Sequence, residues 1–216
     1  ARIGSTARAI VAAKPDCLVT IDSPDFSLRV ARKVRAADPS IPIVHYVCPS
    51  VWAWRPGRAA AMKPYVDLIL CLLPFEPDEL RRLGGPPGLF VGHRLATDPG
   101  IAAAAAAQAG RSIGSAERGR RLLGLPGSRR SEVQRLLAPF ADTMAQLRAR
   151  GHRLSLAVPT VPHVEPLVRE MTANWTDRPE VILDAQRKWQ AFGEADAALT
   201  ASGTVSLELA LAGVPF

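Results

Sequence analysis

Cysteine is scarce in this sequence of 216 residues, and the spacings that metal or disulfide sites require are missing. The three cysteines, Cys17, Cys48 and Cys71, form no C-x-x-C pair and no Cys/His metal-binding pattern. Each lies in an apolar run, which predicts buried free thiols in a reducing compartment. Neither a metal site nor a disulfide framework is therefore expected.

Long hydrophobic runs are also missing. No stretch approaches the roughly 20 apolar residues that span a bilayer, and the alanine tract at 102–107 is too short. No secretory signal is visible at residue 1. The chain begins with Ala1 rather than Met, and residues 214–216 are typical of the opening of a strand, so we expect a piece that is cut at both ends.

The composition is that of a soluble globular protein, with 48% hydrophobic and 22% charged residues. The formal net charge of +7 favours an anionic partner such as nucleic acid, a membrane surface or a phosphorylated substrate. The alternative is that the arginines cover solvated helix faces. A nucleic-acid binder is the weakest interpretation, because the tryptophans are clustered rather than interleaved along a basic stripe.

Apolar segments alternate with amphipathic ones, which predicts an α/β fold with parallel sheets. The predicted strands lie at 16–21, 41–47, 66–72, 89–91, 120–125, 154–158, 181–183 and 197–200. The predicted helices lie at 4–13, 26–37, 58–62, 77–83, 132–150 and 204–212. The alternation of strands and helices predicts two α/β domains, 1–96 and 118–216. It breaks at residues 97–117, which are expected to be a linker or an unusual helix.

Ligands bind beyond the carboxyl ends of the strands in open α/β sheets, so the residues that follow each strand are candidates for a site. Asp22 and Asp25 follow the first strand. A carboxylate here can act as a general base toward a hydroxyl. The alternative is a helix cap, formed by Ser23 or Asp25. Asp25 suits the cap better, and Asp22, nearer the strand end, suits the site better.

The proline-containing loop after the second strand holds two tryptophans and, with Arg58 at its end, two arginines. The faces of Trp52 and Trp54 can bind sugars or acyl chains, and Arg55 can bind phosphate. The alternative is that the tryptophans fill space between the domains. His93 follows the fourth strand. It is expected either to lie in a cleft between the domains or to have a purely structural role.

Two strand–glycine–helix turns lie in the second half. Gly127, Ser128 and Arg129 precede a helix that opens on Ser131, and free backbone N–H groups there can hold phosphate together with Arg129. The lysine of a Walker motif is missing, so a P-loop is not expected.

The second such turn is Ser202-Gly203-Thr204, with Glu208 one helical turn beyond on the same face. The turn can hold phosphate while the carboxylate binds ribose hydroxyls. The alternative is a capped helix with a surface glutamate.

Eight short strings follow one another along nearly the whole chain. They are Lys14-Pro15-Asp16, Ile21 to Phe26, His45-Tyr46-Val47, Pro49 to Arg55, Leu73-Pro74-Phe75-Glu76, Val91-Gly92-His93, Leu125 to Arg129 and Ala201-Ser202-Gly203-Thr204. The Pro-Ser-Val-Trp-Ala-Trp-Arg string is the most specific of them. In this order they resemble the lipid-A-disaccharide synthase family, glycosyltransferase family 19.

The resemblance implies a GT-B architecture of two Rossmann-like domains, both incomplete here. It implies transfer of 2,3-diacylglucosamine from its UDP derivative to 2,3-diacylglucosamine 1-phosphate, which forms a β-1,6 bond with inversion and releases UDP. No metal or other cofactor and no nucleic acid are implied. The place of action would be the cytoplasmic face of the inner membrane of a Gram-negative-type bacterium, where basic and apolar surface suits peripheral attachment to an anionic membrane.

The resemblance also assigns roles to residues. Asp22 and Arg129 are the expected catalytic residues, as the base and as the cation that faces the donor diphosphate. The expected substrate-binding residues are Asp25, Ser50, Trp52, Trp54, Arg55 and His93. The expected UDP-binding residues are Gly127, Ser128, Arg129, Ser202, Gly203, Thr204 and Glu208.

Some features depart from the family pattern. Cys48 stands where the family usually has Ser, and residues 100–116 match nothing in it. The family's glycine-rich loop is expected before residue 1 and its last segments after residue 216, so this piece alone is expected to be inactive. Two alternatives stay open: another GT-B enzyme of UDP-sugars, and a non-catalytic, truncated or degenerate homologue that binds anions or lipids.

Overall fold

The chain folds into two compact units, Ala1–His93 and Arg94–Phe216. The computed structural model describes residues 2–111 and 119–216. Each unit is a parallel sheet of four strands covered by helices, which confirms the predicted α/β class.

The first unit has the strand order β1-β2-β3-β4, with every neighbouring pair parallel. Its strands are β1 (Leu18–Ile21), β2 (Ile43–Tyr46), β3 (Leu68–Cys71) and β4 (Gly88–Phe90). Its helices are α1 (Arg2–Ala13), α2 (Pro24–Ala37), α3 (Gly57–Met62) and α4 (Glu76–Arg82). Because the strands are parallel, their carboxyl ends meet at one edge, where Asp22, Val47 and Leu72 follow the strands.

Helix α2 shows how the sequence determines an element. Pro24 occupies its first turn, where a missing N–H is harmless, and Asp25 and Arg35 match the helix dipole at the two ends. Residues buried along it at helical spacing, among them Ala31 and Val34, pack against the sheet. This burial fixes the helix start directly beyond the carboxyl end of β1.

The second unit has the strand order β7-β6-β5-β8, again all parallel. Its strands are β5 (Arg120–Leu125), β6 (Leu154–Pro159), β7 (Glu180–Ile182) and β8 (Ala197–Thr200). A 3-10 turn (Arg94–Thr97) precedes the helices α5 (Pro99–Ala109), α6 (Arg130–Ala149), α7 (Glu165–Thr172), α8 (Ala185–Glu194) and α9 (Thr204–Ala212). Helices α7 and α8 were not predicted from the sequence.

The alanine-rich segment is a helix of the second unit, where the linker was expected. Asp98 caps α5 by accepting bonds from the backbone N–H groups of Gly100 and Ile101 at 2.9 and 3.1 Å. The helix packs on α8 and α9, and the Gln108 amide donates to two backbone carbonyls at the end of α8, each at 2.7 Å. Small side chains permit this approach, since a Cβ at Gly193 would lie 2.9 Å from the Ala107 Cβ. Residues 112–117 of the expected linker lie outside the described residues.

The cysteine prediction is partly wrong. Cys48 and Cys71 are buried, as expected, but Cys17 is exposed, because it precedes β1 in the turn after α1 rather than lying inside the strand. In the parts of the chain that the structure describes, no helix combines the length and the apolar character needed to cross a bilayer.

Candidate functional site

Asp22 lies directly beyond the carboxyl end of β1 in an unusual backbone conformation. Asp22 and Ser23 have φ angles of 46° and 50°, in the left-handed region that few residues other than glycine adopt. The Asp22 N–H donates to the carbonyl of Tyr46 at 2.9 Å, which ties the turn to β2. Within residues 2–111 and 119–216, the exposed Asp22 carboxylate has neither a hydrogen-bond nor an ion-pair partner. It is therefore available to accept a proton.

Backbone strain recurs at the same sheet edge. Val47, which follows β2, has a φ of 78°, a conformation that a β-branched side chain strongly disfavours. Its N–H donates to the carbonyl of Leu70 at 3.1 Å. Strained positions of this kind cluster at functional sites, so the carboxyl edge of the first sheet stands out as a candidate site.

Asp25 has a different environment from Asp22. Its carboxylate accepts a bond from Arg58 at 2.7 Å, in an ion pair between α2 and α3. The predicted capping role is wrong: Ser23 occupies the N-cap position and makes no side-chain cap bond. Pro24 in the first turn already provides the helical backbone angle, which lessens the need for a cap.

The two tryptophans of the β2–α3 loop are held differently. Trp52 packs edge-to-face on Phe75 with ring centroids 5.2 Å apart, and its indole N–H lies 3.4 Å from a carboxylate oxygen of Glu76. Trp54 is 64% exposed, and the guanidinium of Arg55 lies 4.0 Å from the centre of its ring. The Ser50 carbonyl accepts hydrogen bonds from the backbone N–H groups of the residues three and four positions further along the loop, which closes the turn. Trp52 is also exposed, at 41%, but it is held by Phe75 and Glu76, whereas Trp54 contacts only Arg55 among the aromatic and cationic groups described.

Glu76 is a buried anchor whose role sequence reasoning missed. One of its oxygens accepts bonds from the backbone N–H groups of Leu72 and Leu73, both at 2.9 Å. Cys48 and Cys71 lie beside it, within 4.8 Å. The hydrogen bond between the two thiols, together with burial, raises the pKa of Cys48, so this thiol stays protonated. Glu76 therefore joins the β3–α4 turn to the tryptophan loop.

His45 is fully buried beside Asp22. Its Nδ1 lies 2.7 Å from the Thr20 hydroxyl, and its Nε2 has no partner among the residues the structure describes. Burial lowers the pKa of His45 to about 4, and the negative charge of Asp22 opposes that shift in part. The imidazole is therefore neutral near pH 7. His93, the last residue of the first unit, is half-buried after Gly92.

A cleft of about 530 Å³ lies at the carboxyl edge of the second sheet, within the size range of small-molecule sites. It brings together every residue predicted to bind UDP: Gly127, Ser128, Arg129, Ser202, Gly203, Thr204 and Glu208. Four polar residues that the sequence analysis did not select also line it, namely Glu132, Thr160, Asp184 and Lys188. The hydroxyl of Thr160 is buried and, in the described part of the chain, unpaired.

The first glycine turn differs from the prediction in one respect. Glu132 accepts bonds from the backbone N–H groups of Ser128 and Arg129, both at 3.1 Å, so these donors are not free for phosphate. The Arg129 guanidinium also pairs with Glu132 at 2.6 Å and lowers the pKa of that carboxyl. Arg129, not Ser131, is the N-cap of α6. Gly127 is required here, because its φ is 106° and a Cβ would lie 2.3 Å from Glu132 Oε2.

The second glycine turn is more open. Gly203 has a φ of 146° and occupies the N-cap position of α9, and Ser202, Gly203 and Thr204 are exposed. Glu208 lies one turn into α9, where its carboxylate pairs with Lys188 of α8 at 2.7 Å. One cleft is thus surrounded by the backbone N–H groups of this helix start, by Arg129 and by the Lys188–Glu208 pair.

A sequence profile of the family described as lipid-A-disaccharide synthetase matches residues 2–216. The chain belongs to that family. The lipid-A-disaccharide synthase of Rhodopseudomonas palustris (strain CGA009) is 56% identical over 207 residues, which cover 96% of this chain and 52% of that protein. The synthase of Nitrobacter hamburgensis is 51% identical over 99% of this chain and 53% of that protein. The chain spans about half the length of these curated relatives.

Solved structures support the fold class. The S. aureus MnaA–UDP co-structure aligns with a TM-score of 0.61 at 15% identity, over 99% of this chain and 59% of that one. A trehalose 6-phosphate synthase from Burkholderia multivorans aligns with a TM-score of 0.54 at 14% identity, over 97% and 56%. At such identities the likeness shows the fold alone. The GT-B class expected from the sequence is confirmed, as is the resemblance to the lipid-A-disaccharide synthase family.

Proposed function

We propose that the intact protein transfers 2,3-diacylglucosamine from its UDP derivative to 2,3-diacylglucosamine 1-phosphate, forming the β-1,6-linked lipid A disaccharide 1-phosphate and UDP. Family membership supports the formation of a lipid A disaccharide by a glycosyltransferase. The observation that carries the proposed mechanism is the contrast between two carboxylates at the first sheet edge. Asp22 is exposed in a strained turn, whereas Asp25 is held by Arg58.

In the proposed reaction Asp22 accepts the proton of the acceptor hydroxyl as its oxygen attacks the anomeric carbon of the donor. The bond from that carbon to the UDP oxygen breaks on the opposite face, so the configuration inverts, and the electron pair leaves with UDP. A general base of this kind contributes about 10²- to 10⁴-fold to the rate. The exposed position of Asp22 suits it to receive a large acceptor.

The departing diphosphate requires positive charge in the second unit. Arg129 is bonded to Glu132, but a guanidinium has five N–H donors and can bind a phosphate at the same time. The start of α9, at Ser202, Gly203 and Thr204, contributes backbone N–H groups and the positive end of a helix dipole. These groups stabilise negative charge on the leaving group without a metal ion.

The acylated substrates require apolar surface. Trp54 exposes most of its ring beside Arg55, a combination that suits a sugar or acyl chain next to a phosphate. Trp52, Asp25 and Ser50 act chiefly by holding this loop and its neighbouring helix in place. His93 remains a proposed substrate-binding residue.

Attachment to the cytoplasmic face of the inner membrane is part of the same proposal. Ile21, Phe26 and Trp54 are exposed apolar side chains near the strand ends of the first unit, and the chain carries a net charge of +7. Exposed apolar groups with basic charge favour peripheral binding to an anionic membrane. The two substrates are themselves anionic amphiphiles.

The direct test is to incubate the intact protein with both lipid substrates and to measure products by mass spectrometry. We expect one disaccharide 1-phosphate and one UDP per turnover, with the same rate when a chelator is present. The competing function is another UDP-sugar reaction, which the nucleotide cleft of the second unit would serve equally well. Turnover of unacylated UDP-N-acetylglucosamine with none of the acylated donor would establish that alternative.

A further experiment addresses the non-catalytic alternative. The intact protein and the isolated chain are compared for UDP binding and for disaccharide formation. Binding without turnover by the intact protein would contradict the proposed activity and support a non-catalytic homologue.

A further inference from the structure

Lys188 and Glu208 form an ion pair between α8 and α9 that faces the nucleotide cleft. The ammonium lies 2.7 Å from Glu208 Oε2, and the Lys188 and Glu208 side chains are 27% and 16% exposed. Both residues line the cleft, so the pair is part of its wall rather than a remote surface contact. Glu208 was predicted from the sequence as a nucleotide-binding residue, but its partner Lys188 was not.

Aromatic contacts hold the lysine in this place. Its ammonium lies 4.2 Å from the centre of the Trp189 ring and 5.5 Å from that of Phe192, both favourable cation–π distances. Phe192 is fully buried, and Trp189 packs closely over Gly100 of α5. The ammonium is therefore fixed by three neighbours, unlike the head group of an ordinary surface lysine.

The charges of the cleft show why such a partner matters. Three carboxylates line it, those of Glu132, Asp184 and Glu208, against the two cations Arg129 and Lys188. Arg129 is paired with Glu132, and Asp184 caps α8 by accepting the Arg187 N–H at 2.7 Å. An unpaired Glu208 would add repulsion toward any diphosphate that enters. The Lys188 ammonium neutralises the negative charge of the Glu208 carboxylate by pairing with it directly.

We propose that Lys188 is a positioning residue for ribose recognition, an inference that rests on the proposed UDP-sugar function. Its ammonium occupies Oε2 of Glu208 and leaves Oε1 as the oxygen that accepts the ribose hydroxyls. Because a carboxylate held in this way cannot rotate freely, its bonds to the ribose require little further ordering. Loss of Lys188 should therefore weaken the preference for a ribose that carries hydroxyls.

The test compares the affinities of the intact protein for UDP and for 2′,3′-dideoxy-UDP by calorimetry. A carboxylate that binds the ribose hydroxyls predicts a preference for UDP of about tenfold or more. Lys188→Met keeps the length of the side chain and its contacts with the aromatic rings but removes the charge. We expect it to reduce the preference severalfold, Glu208→Gln to do the same, and the double variant to add little. Lys188→Arg should retain most of the preference.

The matched control is Arg187→Met on the same helix. Arg187 also pairs with carboxylates, those of Glu180 and Glu194, but it does not line the nucleotide cleft. Its loss should lower the unfolding temperature without changing the ratio of the two affinities. A purely structural role for Lys188 predicts the same result for Lys188→Met.

The outcomes separate this inference from the function on which it rests. Suppose that Lys188→Met keeps the wild-type ratio of the affinities for UDP and 2′,3′-dideoxy-UDP, while Glu208→Gln loses the preference for UDP. That result would overturn the role of Lys188 but not nucleotide binding. Equal affinity of the wild-type protein for the two nucleotides would overturn ribose recognition by the pair. Failure of the wild-type protein to bind UDP at all would instead contradict the proposed function.

Discussion

The carboxylate of Asp25 is bonded to Arg58 at 2.7 Å, although it lies only three residues from Asp22, whose carboxylate is unpaired in the described part of the chain. The two acidic residues of one turn therefore have different environments. Asp25 lies in the first turn of α2, where its charge also suits the helix dipole. Asp22 lies in the strained turn itself, and this leaves it as the proposed base.

The first prediction concerns Gly127. Its φ of 106° and the 2.3 Å approach of a Cβ to Glu132 Oε2 mean that Gly127→Ala must displace the carboxylate that organises the turn. We expect a loss of unfolding free energy of roughly 1–3 kcal/mol and a fall in UDP affinity of about tenfold or more. Calorimetry with UDP and thermal unfolding of the same samples provide the two measurements.

Gly151 is the matched control for this substitution. It also has a positive φ, 86°, but a Cβ there meets no atom within 4 Å. Because of backbone strain alone, Gly151→Ala should therefore lower the unfolding free energy by about 1 kcal/mol without a change in UDP affinity. Equal loss of UDP binding in the two variants would contradict the account of the turn.

A second prediction follows from the difference between the two tryptophans. Trp52 packs on Phe75 and bonds to the buried Glu76, so Trp52→Ala should lower the unfolding free energy by roughly 1–3 kcal/mol. Trp54 is 64% exposed, so Trp54→Ala should lower it by less than about 1 kcal/mol. Trp54→Ala should instead raise the KM for the acylated acceptor. An unchanged KM would remove Trp54 from substrate binding.

The third prediction is a dependence of stability on pH that arises from His45. Burial lowers its pKa from 6.5 to about 4 in the folded protein, so below pH 6.5 the unfolded chain binds the proton first. Stability from this group is complete above pH 6.5 and is lost as the pH falls toward 4, by at most about 3 kcal/mol. Thermal unfolding between pH 7.5 and 4, at steps of about half a unit, measures the slope.

His45→Gln should flatten that slope, because the group that titrates is gone. His152 is exposed, and His152→Gln provides the control. The account of His45 would be contradicted if the His45→Gln variant kept the full wild-type dependence on pH.

Much of the fold could be predicted from local patterns. The eight strands of the described residues were found because buried parallel strands are short apolar runs between turns, and both glycine turns followed from their spacing. Helix α5 was harder, because its alanines carry no amphipathic pattern. It is held by close approach to Gly193 and by the Gln108 amide, which are contacts with distant residues.

The residues that line the nucleotide cleft were predicted only in part, again because contacts between distant residues bring some of them together. Residues that follow a strand can be read from the sequence, but Lys188 meets Glu208 only because α8 packs beside α9, 20 residues further along the chain. Glu132 carried a signal that was missed: it lies three residues after the N-cap Arg129, the spacing of a capping box. The partner of Asp25 was likewise outside any local pattern, since Arg58 is 33 residues away.

The central claim is that Asp22 is the base of a sugar transfer, and one variant of the intact protein tests it. Asp22→Asn keeps the size of the side chain but not its basicity, so disaccharide formation should fall by about 10²-fold or more while UDP affinity stays at the wild-type value. Asp78→Asn, at an exposed ion pair on α4, is the control and should retain both. Turnover of Asp22→Asn within about twofold of wild type would contradict the claim.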